Sequence, residues 1–119
     1  MRINSYKDLK VYQKAYTESV KLHKETFKLP QQEQYELGSQ LRRASKSIAL
    51  NIAEGFSRNA SLKDFKRFLV MALGSCEEVQ VILDYLYDLG YMDENIYKQY
   101  VEAYKQIGKM LVKMKQEWK

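Results

Sequence analysis

The chain has 119 residues, 45% of them hydrophobic and 29% charged, with a formal net charge of +5. That is enough for one domain with its own core, spanning residues 1–119, and too little for two ordinary domains. A surplus of Lys and Arg fits an acidic partner such as nucleic acid without requiring one, and the single Cys, Cys76, rules out an internal disulfide and any C-x-x-C chemistry.

The opening stretch "MRINSYKDLKVYQ" has no apolar run after its Arg, and nowhere does the sequence approach the ~20 consecutive apolar residues of a membrane span. A soluble, cytoplasmic protein with no membrane partner is expected. Pro30, Gly55 and Gly90 coincide with breaks in apolar periodicity and divide the chain into four long segments, whereas Gly38, Gly74 and Gly108 fall inside helical patterns.

The first segment, about Tyr6 to Phe27, opens with a capping-box pattern, Ser5 followed by Asp8. Leu9, Tyr12, Tyr16, Val20, His23 and Phe27 share one face, widened by Val11, Ala15 and Leu22. Roughly opposite runs a lysine ridge of Lys7, Lys10, Lys14, Lys21, Lys24 and Lys28. Residues 1–28 hold seven basic and three acidic side chains, so the positive charge is concentrated here, with a second contribution from Lys105, Lys109 and Lys113 in the fourth segment. An exposed helix surface favours Lys for solubility alone. As a functional feature, the ridge is a track for phosphates, and Lys suits backbone contact rather than base reading.

The second segment, about Gln32 to Ala53, leads into "EGFSRNAS", where Gly55 is expected to cap the helix and the rest to form a loop. Within "QLRRASKSIALNIAEG", the residues Gln40, Arg43, Ser47, Asn51 and Glu54 form a polar ridge beside an apolar one. Arg42, Arg43 and Lys46 are further candidates for phosphate contact. Arg58, Lys63, Lys66 and Arg67 make a weaker basic cluster, which surface solubility and pairing with acids account for more simply.

The third segment starts at a Ser61 cap and runs to Gly90 with two parallel apolar seams, one through Phe65, Leu69, Ala72, Cys76, Val79, Leu83 and Leu86. Ala72, Gly74, Ser75 and Cys76 predict a close helix approach. Asp93 caps the fourth segment, where Tyr97, Tyr100, Tyr104, Ile107, Leu111, Met114 and Trp118 keep the three-four rhythm. Four helices of roughly 20 to 28 residues on short loops predict an all-α, antiparallel up-down-up-down four-helix bundle.

No catalytic residue is assigned. His23, the only His, falls on an apolar face, and a Cys76–His23 pair lacks an orienting third group. No cofactor or metal is expected either: there is no Glu-x-x-His motif and no glycine-rich phosphate loop.

Four stretches carry a family resemblance: "LKVYQKA" (9–15), Pro30 with Glu33 and Leu37, "QLRRASKSIALNIAEG" (40–55), and "FKRFLVMALGSCEE" (65–78). On these, residues 5–115 resemble the bacterial four-helix-bundle proteins of 23S ribosomal RNA intervening sequences. That family includes the accessory variability determinant of diversity-generating retroelements. The resemblance implies a ring-like homopentamer and, for the retroelement relatives, a basic surface for RNA or DNA and a partner reverse transcriptase. It implies no catalysis. Pentamer formation would account for Ser47, Asn51 and Glu54 as polar groups that lock helix two against its neighbours. Two functions remain open from the sequence: a non-enzymatic accessory protein binding nucleic-acid backbone, and a protein-interaction scaffold with no nucleic-acid role.

Overall fold

The computed structural model describes residues 3–58 and 61–118. Four long helices, α1 (Lys10–Glu25), α3 (Leu37–Arg58), α4 (Leu62–Asp88) and α5 (Glu94–Glu117), are accompanied by a short helix, α2 (Gln31–Tyr35), and by 3₁₀ turns at Tyr6–Asp8 and Thr26–Lys28. No strand occurs among the described residues. The long helices pack in chain order, α1 on α3, α3 on α4 and α4 on α5. Short connections make consecutive partners run in opposite directions. The α1–α5 seam that closes the bundle is the loosest of the four.

Local chemistry sets most boundaries. The Ser61 hydroxyl accepts from the Asp64 amide at 3.0 Å to start α4, and Asp93 Oδ1 accepts from the Ile96 amide at 2.9 Å to start α5. Gly90 ends α4 at φ +82°, the left-handed conformation that favours glycine. There the Gly90 amide donates to the Tyr87 carbonyl at 3.0 Å and the Tyr91 amide to Leu86 at 2.8 Å, the paired bonds of a Schellman motif.

Three expectations about helix boundaries are corrected. The capping box at Ser5 and Asp8 is formed, but it serves a 3₁₀ turn at Tyr6–Asp8; Leu9 is extended, and α1 begins at Lys10. The second segment is not one helix from Gln32 to Ala53. It breaks at Glu36 (φ −98°, ψ −97°), where Arg42 takes the Gln34 carbonyl that an unbroken helix would offer to Gly38. Gly55 is not a cap either: it lies buried inside α3, which continues to Arg58. Of the expected loop, Asn59 and Ala60 lie outside the described residues.

All four long helices contribute to one core, with Leu22, Leu41, Ile48, Ile52, Phe65, Leu69, Leu83, Tyr104, Ile107 and Leu111 fully buried. On α1 the buried side is Val11, Ala15, Glu18, Ser19 and Leu22. The expected main face is therefore displaced: Tyr16 is 54% exposed, Val20 38% and Phe27 60%. Both sets satisfy the helical period, and the smaller side chains are the ones that fit between α1 and its neighbours.

Candidate nucleic-acid interface

Lys10, Lys14, Lys21 and Lys24 project from α1, and Lys7 and Lys28 extend the ridge through the flanking 3₁₀ turns; all are exposed except Lys14, which is half-buried. Two of the six are engaged within the chain. Lys21 pairs with Glu18 at 3.4 Å and stands 5.6 Å from the Tyr100 ring centroid. Lys28 pairs with Glu25 at 3.3 Å. Among the described residues no salt bridge involves Lys7, Lys10, Lys14 or Lys24.

The α3 cations do not join that ridge. Lys21 leans toward α5, whereas Lys46 meets α1 on its other flank, its Nζ 2.7 Å from His23 Nδ1. Arg42 is turned inward: its guanidinium donates to Thr26 Oγ1 at 2.8 Å and to the Gln34 carbonyl at 2.9 Å, fastening α3 to the segment before it. Arg43 is exposed and 3.8 Å from Glu78. Arg58 and Arg67 pair with Glu54 and Asp64 at 3.0 and 3.6 Å, and both lie over the Phe68 ring.

The polar ridge of α3 turns toward α4. The Ser47 and Ser75 hydroxyls are 2.6 Å apart, and Asn51 Nδ2 donates to the Ser47 carbonyl at 2.8 Å and to its hydroxyl at 3.2 Å. Glu54 instead reaches along its own helix to Arg58. Of the small residues on α4, Ser75 and Cys76 do meet neighbouring helices, but Gly74 faces open space.

His23 and Cys76 occupy different seams. A lysine ammonium can only donate, so His23 Nδ1 accepts and the imidazole is neutral. Burial, Lys46 and Arg42 together lower its pKa. The Cys76 thiol donates to the Tyr104 carbonyl at 3.0 Å, and burial pushes its pKa up to about 11. Among the described residues no group of three or more His, Cys, Asp or Glu gathers as a metal site.

Two surface grooves escaped the sequence reading. One, of about 460 Å³ between α4 and α5, is lined by Leu73, Cys76, Gly108 and Val112 together with Lys105, Lys109 and Lys113. The other, of about 350 Å³ between α1 and α3, is lined by Tyr12, Tyr16, Val20, Lys46 and Leu50. Tyrosines on an amphipathic stripe were its only sequence signal, and the same stripe also reads as core. No described helix is long and apolar enough to cross a membrane.

No curated protein matches the chain. Its fold is similar to the crystal structure of a protein of unknown function from the S23 ribosomal protein family of Bacteroides thetaiotaomicron, with a TM-score of 0.82 and 24% identity over 89% of this chain and 98% of that one. The family model for the 23S rRNA-intervening sequence protein matches residues 7–113, so the four-helix chain belongs to that family.

Proposed function

We propose that the protein acts in the cytoplasm as a non-enzymatic accessory protein, assembled as a ring-like homopentamer, that binds RNA or DNA backbone with little sequence preference. The observation that carries this reading is the row of ammonium groups at Lys7, Lys10, Lys14 and Lys24, along α1 and the turn before it, that make no salt bridge among the described residues. Lysines suit phosphates, and each phosphate neutralised releases counterions. Lys21 and Lys28 join by exchanging an internal carboxylate for a phosphate. Arg43 and Lys46 add positive field from α3. Arg42, its guanidinium already bonded on two sides, adds charge without a new hydrogen bond.

The test is titration of unrelated RNA and DNA sequences over a range of salt. Similar affinities with a steep salt dependence are expected, the slope falling by about one for each of Lys10, Lys14 and Lys24 changed to Gln. Absence of binding at low salt rejects the proposal.

A second reading, a scaffold that docks a partner protein such as a reverse transcriptase, is favoured by the exposed apolar side chains of α1 and α4. Recovery of one protein partner in a pull-down, unchanged by nuclease, supports it over the first.

A further inference from the structure

The basic character of the chain conceals one acidic stretch. From Phe68 to Tyr97 there is no Lys or Arg, and four carboxylates, Glu77, Glu78, Asp84 and Asp88, lie on α4. Between them α4 presents apolar side chains to solvent: Val70 is 48% exposed, Val81 52%, Tyr85 56%, and Leu89 beyond its end 55%. In the middle stands Gly74, whose added Cβ would meet nothing within 4 Å. A glycine there costs about 0.5–1 kcal/mol relative to alanine and earns nothing inside the protomer. It leaves a flat place where another chain can approach closely.

The groove between α1 and α3 has the complementary character. Tyr16, Val20 and Leu50, the last 67% exposed, form its apolar part. Lys46 lines it, and Arg43 stands about a turn before it on α3. The nearest carboxylate on the outer side of α3, Glu54, is already paired with Arg58.

We propose that these two faces are the two halves of one contact between copies of this chain, the acidic outer face of α4 seating in the basic α1–α3 groove of the next copy. Contiguous apolar surface of this kind marks an interaction site, and opposite flanking charge selects these two faces for each other. The carboxylates of α4 repel a nucleic acid, which assigns that face to protein. Because the two faces differ, the contact is head-to-tail: each copy uses α4 toward one neighbour and the groove toward the other. Lys21 leans toward α5, and none of the ridge lysines lines the groove, so the ridge stays free for phosphate. This rests on the self-association proposed above and adds which surfaces make it.

The experiment measures mass by light scattering for wild type, Leu50→Asp and Val81→Lys, alone and mixed. Both positions are exposed, and each new charge repels the face that would approach it. Wild type is expected as a multimer and each variant as a monomer with an unchanged circular dichroism melt. Mixing the two variants restores one intact groove against one intact α4 face and sets the new carboxylate against the new ammonium at the other contact, so the mass rises to at least that of a 1:1 dimer. Val20→Asp with Tyr85→Lys provides a second pair should either first variant fail to fold. A monomeric wild type overturns both the assembly and its assignment. A multimer unaffected by the substitutions leaves self-association standing and overturns the assignment. Sensitivity to only one substitution, with no dimer on mixing, means that one face pairs with itself and likewise overturns it.

Discussion

The Cβ that alanine would add at Gly55 falls 2.6 Å from the Phe68 Cβ and 3.2 Å from a Phe65 ring carbon. Here α3 and α4 approach so closely that a hydrogen is all the site admits. Gly55→Ala should therefore destabilise the fold by about 1–3 kcal/mol, the usual cost of overpacking. Gly74→Ala, with nothing within 4 Å in the protomer, should stabilise it by about 0.5–1 kcal/mol. Thermal melts of the two variants should move in opposite directions; a rise for both would mean that the helices can part at Gly55 without cost.

These two glycines also show where sequence reasoning succeeds and where it stops. Ser61, Asp93 and Gly90 are legible because a cap is a local bargain between a side chain and the amides or carbonyls beside it. The all-α class, the four long helices and the family were legible for a similar reason: each follows from periodicity or motif within the chain. Gly55 was misread because a glycine followed by polar residues satisfies the local rule for a cap, whereas its actual role depends on a helix that follows it in the chain. The face of α1 was misread for a related reason. Tyr16, Val20 and Phe27 are as periodic as Val11, Ala15 and Leu22, and periodicity cannot separate a stripe that faces the core from one that faces solvent. Of the candidate cations, engagement was not legible: nothing local to Arg42 reveals that Thr26 and Gln34 hold it.

Arg42 and Lys24 should consequently behave in opposite ways. Arg42→Gln removes two hydrogen bonds from a charged donor, at 2.8 and 2.9 Å, and should cost about 2–3 kcal/mol of stability. Lys24→Gln breaks no ion pair among the described residues and should leave the melt unchanged while lowering nucleic-acid affinity. Equal loss of affinity in the two variants at matched folded fraction would show that Arg42 contacts phosphate after all.

Tyr104 is fully buried, and its hydroxyl finds no hydrogen-bond partner among the described residues. Burial, with Glu18 as the next cause, holds its pKa far above the usual tyrosine value. An unpaired buried hydroxyl costs about 1–3 kcal/mol, so Tyr104→Phe should raise stability by about 1 kcal/mol or more. Chemical denaturation with an unchanged m-value is the suitable measurement. A loss of stability would mean that the hydroxyl has a partner in solution.

Cys76 should be inert in the folded protein. The residue is 1% exposed, its thiol donates to the Tyr104 carbonyl, and burial pushes its pKa up to about 11. At mildly alkaline pH the thiolate fraction is about two orders of magnitude below that of a free cysteine. A thiol-specific reagent should therefore label one equivalent rapidly in denaturant and almost none without it. Rapid labelling under native conditions would show that the α4–α5 groove opens as far as Cys76.

His23 couples the α1–α3 seam to pH. Its Nδ1 accepts from Lys46 at 2.7 Å, so the pair exists only with neutral imidazole. Burial first, then the charges of Lys46 and Arg42, place the folded pKa below the ordinary 6.5. As pH falls, the unfolded chain takes up this proton before the folded one does, so stability present above pH 6.5 is lost as pH drops through the folded value. His23→Gln keeps an acceptor for Lys46 but cannot titrate. Between about pH 7.5 and pH 5 its melting temperature should fall less than that of wild type, the difference being confined to the window where histidine titrates. Carboxylates titrate alike in both proteins at the lower end of that range and cancel in the comparison. Parallel curves throughout would mean that Lys46 moves away from the imidazolium at no cost and that the seam does not sense the proton.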